Sequence, residues 1–263
     1  KLNFAQIKLQ LAKEKYSNSF LLNSYEFKAF SQFGEDGIIQ YLISILDIKN
    51  NFFIEFGVEN YDEANTRFLL ENTNWRGLLI EADKEHVKEI KQKNIYWKNN
   101  INVLNEFITR ENFNKILSNT KVPREIGLLS IDIDGNDYWI WEKINVIEPS
   151  IVIIEYNARF GIDMSVTIPY DEKFSRFNLK YSNIYFGASL SALYKLWKKK
   201  NYSLVGTKIN GKNAVFVKTD LLNKHSQIKE MQPFECYNEN SFSEIFNKDK
   251  NIIKMSKKEE EEI

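Results

Sequence analysis

The sequence predicts a doubly wound α/β domain whose mostly parallel sheet is closed by an antiparallel C-terminal hairpin. Three observations point there. Four short β-rich runs, 52–56, 77–81, 127–134 and 149–156, are bounded by Gly, Pro, Asn or Asp. Helix-period stretches lie between or beside them, at 62–71, 84–93, 110–117 and 138–144. Strands that are apolar along nearly their whole length are buried on both faces, and in an alternating strand–helix order this means a parallel sheet covered on each side. Finally, Asn210-Gly211 separates the β-rich runs 202–209 and 213–218, and its tolerance of positive φ suits a tight primed hairpin turn.

Residues 4–30 alternate apolar and charged positions at near-helical spacing (Phe4, Ile7, Leu9, Leu11), which predicts an amphipathic lead-in helix. A second helix is expected from Glu35 to Leu46, with Ser31 as its cap and Asn50-Asn51 ending the pattern. The alternating strands and helices follow. Ser189 to Lys200 reads as a helix whose closing lysines complement the negative end of its dipole. Beyond residue 222 the chain is rich in Lys, Asn and Glu and ends in Glu259–Glu262, which predicts a helical or frayed tail that leads toward a further region. The expected organisation is a lead-in at 1–30, one catalytic-type domain at 31–222 and a tail at 223–263.

Composition narrows the class of function. With 263 residues the chain suits one domain with appendages, and 43% apolar with 27% charged residues is enough to bury a core. Thirty-six basic residues balance 36 acidic ones, so no net field draws in a nucleic acid or an anionic bilayer. The single cysteine, Cys236, excludes an internal disulfide and a cysteine-rich zinc site. The longest apolar run, 151–154, is far short of a membrane span, and residues 1–4 lack the apolar core of a signal peptide. A soluble cytoplasmic protein is the expectation.

In open α/β sheets ligands bind beyond the carboxyl ends of the strands. The first predicted strand ends Glu55-Phe56-Gly57-Val58-Glu59-Asn60, an acid followed by a glycine, with no G-x-G-x-x-G to cradle a pyrophosphate. A nicotinamide enzyme is therefore disfavoured. Gly57 lets the backbone approach a compact ligand and Glu55 can accept from an amine or hydroxyl; equally, the glycine serves a strand-to-helix turn. Glu81 ends the next strand about 24 residues further on, where an acid can hold the hydroxyls of a ribose, or else cap the following helix. Together these features favour a nucleoside ligand without a pyrophosphate, a description S-adenosylmethionine satisfies.

The densest polar cluster is Ser130-Ile131-Asp132-Ile133-Asp134-Gly135-Asn136-Asp137. The two-residue period of a strand sets Asp132 and Asp134 on one face, and Glu155 and Asn157 share a face at the end of the next run. Adjacent carboxylates repel unless something positive sits between them. Hard oxygen ligands without His or Cys are what Mg²⁺ or Mn²⁺ prefers, so Asp132, Asp134, Glu155 and Asn157 form a candidate metal set, against the plainer reading of loop hydrogen bonding.

Ser31-Gln32-Phe33-Gly34-Glu35-Asp36, Phe53-Ile54-Glu55-Phe56-Gly57, Leu129 to Trp139, Ile154-Glu155-Tyr156-Asn157-Ala158, Pro169-Tyr170 and Gly187-Ala188-Ser189-Leu190 together resemble the FkbM-like group of class I S-adenosylmethionine-dependent methyltransferases. The resemblance runs from about Ser31 to Leu221. It implies a Rossmann-like, seven-stranded sheet with an antiparallel last hairpin. It further implies cofactor contacts from Gln32, Glu55, Gly57, Glu81 and Asp132, and an O-methyltransferase of surface-polysaccharide assembly, acting on a sugar hydroxyl such as that of a nucleotide-linked heptose.

A sugar hydroxyl is a poor nucleophile at neutral pH, so methyl transfer needs its proton removed or its oxygen polarised. Asp134, Asp132 and Glu155 are the candidate catalytic residues, through a bound metal or with Asp134 as general base. The stretch 159–185, about 27 residues, is long for a connection and suits a lid or binding element. It carries Arg159, Tyr170, Arg176, Tyr181 and Tyr185; Asn157, Arg159, Tyr170 and Tyr185 are the expected substrate contacts. His86 and His225 read as surface residues. The expected partner is a sugar or sugar nucleotide, with no nucleic acid and no membrane span, and a homo-oligomer is left open. Methylation of a phosphoramidate or amine, and a non-catalytic binding module, are the rival readings.

Overall fold

The structure is a computed structural model that describes residues 2–13, 21–176, 184–239, 245–246 and 252–253. A seven-stranded sheet organises it, in the order β3-β2-β1-β4-β5-β7-β6. The strands are β1 (Phe52–Phe56), β2 (Arg76–Glu81), β3 (Ile101–Asn105), β4 (Glu125–Ile131), β5 (Glu148–Glu155), β6 (Tyr202–Thr207) and β7 (Asn213–Lys218). Strands β1 to β5 pair in parallel, whereas β7 runs antiparallel to both β5 and β6. The expected seven-stranded, mostly parallel sheet with an antiparallel closing hairpin is the one observed.

Alternation along the strands builds two cores. Phe53, Leu79, Leu128 and Ile153 face one side, with α2 (Glu35–Ile45), α3 (Arg67–Asn72), α4 (Lys84–Gln92) and α5 (Asn94–Lys98) supplying Ile38, Leu69, Val87 and Ile95. Ile54, Ile80, Leu129 and Ile154 face the other, against Phe113, Trp141 and Trp197 of α6 (Phe113–Asn119), α7 (Asp137–Lys143) and α8 (Leu190–Lys199). Trp141 and Trp197 stack at 3.7 Å, and Phe216 of β7 stacks on Trp197 at 4.6 Å. Such aromatic pairs lock α7 and α8 onto the hairpin.

Several boundaries depart from the sequence pattern. Helix α3 starts at Arg67 rather than near Asp62, because the backbone amides of Asn65 and Thr66 donate to Glu55 and Glu59 and Tyr61 take positive φ. Strand β3 and helix α5 were not anticipated: Ile101-Asn102-Val103-Leu104-Asn105 is a half-polar edge strand, buried at Ile101 and Val103 only. The hairpin loop is not a two-residue primed turn. It spans 208–212, with positive φ at Gly211 alone and a bond from Gly211 N–H to the Lys208 carbonyl. Helix α2 has Gly34 at its cap position; the Ser31 hydroxyl still accepts from the Gly34 and Asp36 amides.

The lead-in is a helix, α1 (Leu2–Lys13), followed by a 3₁₀ turn at Leu22–Tyr25; residues 14–20 lie outside the described residues. Lys208, 1% exposed, donates to Glu26 and, at 2.8 Å, to the Phe33 carbonyl, tying the hairpin loop to this N-terminal segment. Helix α9 (Thr219–Leu222) closes the expected domain, and the described residues of the tail hold α10 (Pro233–Cys236) and a two-residue ladder of β8 (Ile245–Phe246) with β9 (Ile252–Ile253). Residues 223–239 pack on the domain: Ile228 and Met231 are buried, and the Tyr237 hydroxyl donates to the Ala158 carbonyl. Glu259–Glu262 lie outside the described residues.

Candidate active site

The strand order reverses between β1 and β4, so their carboxyl ends flank the crevice where an open α/β sheet binds ligands. Here the two ends meet through backbone. Gly57 has φ 66°, and a Cβ at this position would lie 1.8 Å from the Asp132 carbonyl oxygen. The glycine is thus required by a left-handed turn and by the close pass of the chain just beyond β4.

Strand β4 stops at Ile131, so Asp132 and Asp134 do not share a strand face. They converge by another route. Asp134 adopts φ 59°, a left-handed conformation that Asp tolerates better than most residues. Asp137, at the start of α7, folds its carboxylate back over the loop: Oδ1 accepts from the Ile133 amide at 3.0 Å and Oδ2 from the Gly135 amide at 2.9 Å. This clamp turns the Asp132 and Asp134 side chains toward Glu155, the last residue of β5. One carboxylate oxygen from each of the three lies within 4.8 Å of the others.

Burial and mutual repulsion shape their ionisation. Desolvation, reinforced by the Asp134 charge, pushes Asp132 up to about 8. Burial, then the Asp132 charge, holds Glu155 well above the usual carboxylate range. Burial also raises Asp137 to about 6 against the backbone amide bonds that lower it. One cation is built in: Arg176 Nη2 lies 2.7 Å from Asp134 Oδ1 and its Nη1 4.0 Å from Glu155 Oε1. Glu155 Oε2, in a side chain 6% exposed, has no hydrogen-bond partner. Three hard oxygens at separations that a single ion of about 2.0–2.6 Å bond length can span, on side chains that include the orphaned Glu155 Oε2, fit a divalent cation.

The remaining candidates have definite places. Glu55 is 5% exposed; its oxygens accept from Asn65 N, Thr66 N and Thr66 Oγ1, so it shapes the 58–66 loop from within and has a raised pKa through burial. Glu81 bridges two loops, accepting from Glu59 N and Asp83 N at 2.8 Å each. Gln32 is exposed between Ser31 and Phe33. The Asn157 amide donates to the Ile184 and Phe186 carbonyls and accepts from Arg159 N, so it clamps backbone and has no amide hydrogen left for a substrate. Arg159 is the middle residue of the 3₁₀ turn at Ala158–Phe160, and Tyr185 sits half-buried between the two residues whose carbonyls Asn157 holds. Tyr170 stands apart from the acids: its hydroxyl donates to Glu111 and the Arg110 guanidinium covers its ring at 4.0 Å. Tyr181 lies outside the described residues.

Residues 168–176 form a strap over the cluster. The Asn136 amide donates to the Asp171 carbonyl at 2.8 Å, the Trp139 indole to the Ile168 carbonyl at 2.9 Å, and the Phe174 ring fills the space a Gly135 side chain would need. Asp137 and Phe174 escaped the sequence reading; the third acid of Asp132-Ile133-Asp134-Gly135-Asn136-Asp137 was the available signal for the clamp.

No protein-family model matches the chain, and no curated protein matches it. Among solved structures it is similar to an O-methyltransferase from Bacillus cereus in complex with SAH, at 13% identity and a TM-score of 0.46 over 80% of this chain and 90% of that one. It is also similar to a putative O-methyltransferase from Klebsiella pneumoniae (11%, TM-score 0.44, 80% and 89% covered) and to an S-adenosylmethionine-dependent methyltransferase from Clostridium acetobutylicum (11%, 0.44, 82% and 97%). Likeness of this degree decides nothing about chemistry, which rests on the strand-end residues.

Proposed function

We propose that the chain is an S-adenosylmethionine-dependent O-methyltransferase, assisted by a divalent cation such as Mg²⁺ or Mn²⁺, that methylates a sugar hydroxyl in surface-polysaccharide assembly, with a nucleotide-linked heptose as the type of acceptor. The observation that carries this reading is the convergence of Asp132, Asp134 and Glu155 beside the β1–β4 switch point. The motifs shared with FkbM-like enzymes supply the reaction class. For the cofactor, Glu81 at the tip of β2 and the exposed Phe107 ring, two residues past β3, offer a hydroxyl acceptor and a stacking face that suit a nucleoside. The acids beyond β4 suit a neighbouring sulfonium charge.

A cation held by Asp132, Asp134 and Glu155 would lower the pKa of a hydroxyl brought to it. Asp134, the more exposed partner at 39% against 6% for Glu155, is then placed to accept the acceptor's proton. Glu155 and Asp132 orient the acceptor oxygen. Incubation with labelled S-adenosylmethionine, Mn²⁺ and a panel of nucleotide-linked sugars, read by mass spectrometry, is expected to place label on one sugar. Asp134→Asn is expected to lose about 10²-fold or more in turnover with an unchanged circular dichroism spectrum. Calorimetry showing no binding of S-adenosylmethionine ends the reading; full turnover after exhaustive chelation removes the cation alone.

A further inference from the structure

We infer that Arg176 is an internal stand-in for the divalent cation, and that entry of the ion between the three carboxylates expels this guanidinium and frees the Arg176 end of the 168–176 strap. The inference rests on the reading of Asp132, Asp134 and Glu155 as a cation site.

The geometry makes the two occupants exclusive. Arg176 reaches Asp134 Oδ1 at 2.7 Å and Glu155 Oε1 at 4.0 Å, and carboxylates of the same two residues belong to the oxygen triangle that a bound ion would draw together. A guanidinium carries a single charge spread over a plane, whereas an ion of charge two sits within about 2.0–2.6 Å of each oxygen. Arg176 also leaves work undone. Glu155 Oε2 has no hydrogen-bond partner although its side chain is more than nine-tenths buried, and an unmet carboxylate oxygen is costly away from water. The end of the strap nearest the acids is also held by the Asn136 amide on the Asp171 carbonyl, the Phe174 ring against Gly135 and the Arg176 guanidinium over the Phe186 ring, whereas Ile168 and Tyr170 are tied to the Gly187 carbonyl, Trp139, Glu111 and Arg110. Gly135 and Asn136 lie on the loop that carries Asp132 and Asp134, so a shift at the acids reaches the Arg176 end of the strap.

The test compares the wild-type chain with Arg176→Gln and Arg176→Lys. Mn²⁺ titrated by calorimetry is expected to bind Arg176→Gln about tenfold more tightly than wild type, since a competitor has gone, and to bind Arg176→Lys much as wild type. In the wild-type chain Mn²⁺ is expected to speed tryptic cleavage after Arg176 and to shift Trp139 emission, a readout that needs no variant to fold. Equal or weaker affinity in Arg176→Gln, or protection of Arg176 by Mn²⁺, overturns the inference while leaving the cation site in place. Mn²⁺ binding to none of the three proteins overturns the cation reading itself, and this inference with it.

Discussion

At the scale of single residues, the acid cluster is held together at a cost that pH exposes. Asp132 titrates near 8 in the folded chain against an ordinary 3.8, so between about pH 4 and pH 8 the native state keeps a proton that the unfolded chain has released. Stability contributed by this group therefore falls as pH rises through that window and is constant outside it. Asp132→Asn, which mimics the protonated form, is expected to flatten the decline: urea midpoints at pH 5 and pH 8 should lie closer together than in the parent, and a parallel decline in both proteins contradicts the assignment. The acids themselves were legible in the sequence, since three carboxylates in Asp132–Asp137 and one at Glu155 stand out from apolar strands. Their mode of convergence was not. A period-two argument assumes strand backbone, whereas the left-handed Asp134 and the amides captured by Asp137 are properties of a loop, and loop φ values leave little trace in residue order. Glu55 shows the converse: an acid at a strand tip has the same sequence signature whether it faces a ligand or, as here, the amides of Asn65 and Thr66.

Among the elements, the β1 turn and the α7–α8 pair carry distinct loads. Gly57→Ala adds a methyl group where the Asp132 carbonyl already stands and strains a positive φ, so a loss of about 1–3 kcal/mol from the backbone alone is expected, with added displacement of the acids. Denaturant unfolding measures the first; weakened Mn²⁺ binding in calorimetry measures the second. Trp197→Ala empties the centre of the Trp141–Trp197–Phe216 stack, far from the acids, and is expected to cost about 3–5 kcal/mol while leaving Mn²⁺ affinity unchanged in the folded fraction. The sheet was the most readable part because apolar strands buried on both faces leave a continuous signal. Strand β3 left none, since at the sheet edge only Ile101 and Val103 turn fully inward and three of five residues keep polar or half-exposed positions.

For the whole molecule, the domain extends beyond the boundary its composition suggests. A chain ending at residue 239 is expected to melt within a few degrees of the full chain, whereas one ending at 222 should melt well below it, because Ile228 and Met231 are core residues and Tyr237 holds the Ala158 carbonyl. Differential scanning calorimetry of the two truncations decides it; equal melting places the boundary at 222. Charged and polar composition suggests a tail here, and the few apolar residues of 223–239 that pack on the domain, Ile228 and Met231, are diluted among Lys, Gln, Asn and Glu. The buried Lys208 adds an order of events. Its partners Glu26 and Phe33 precede it by 182 and 175 residues, so a chain emerging from the ribosome carries an N-terminal segment whose polar docking partner has not yet been made. That segment waits, and the loop between β6 and β7 is what fastens it in place.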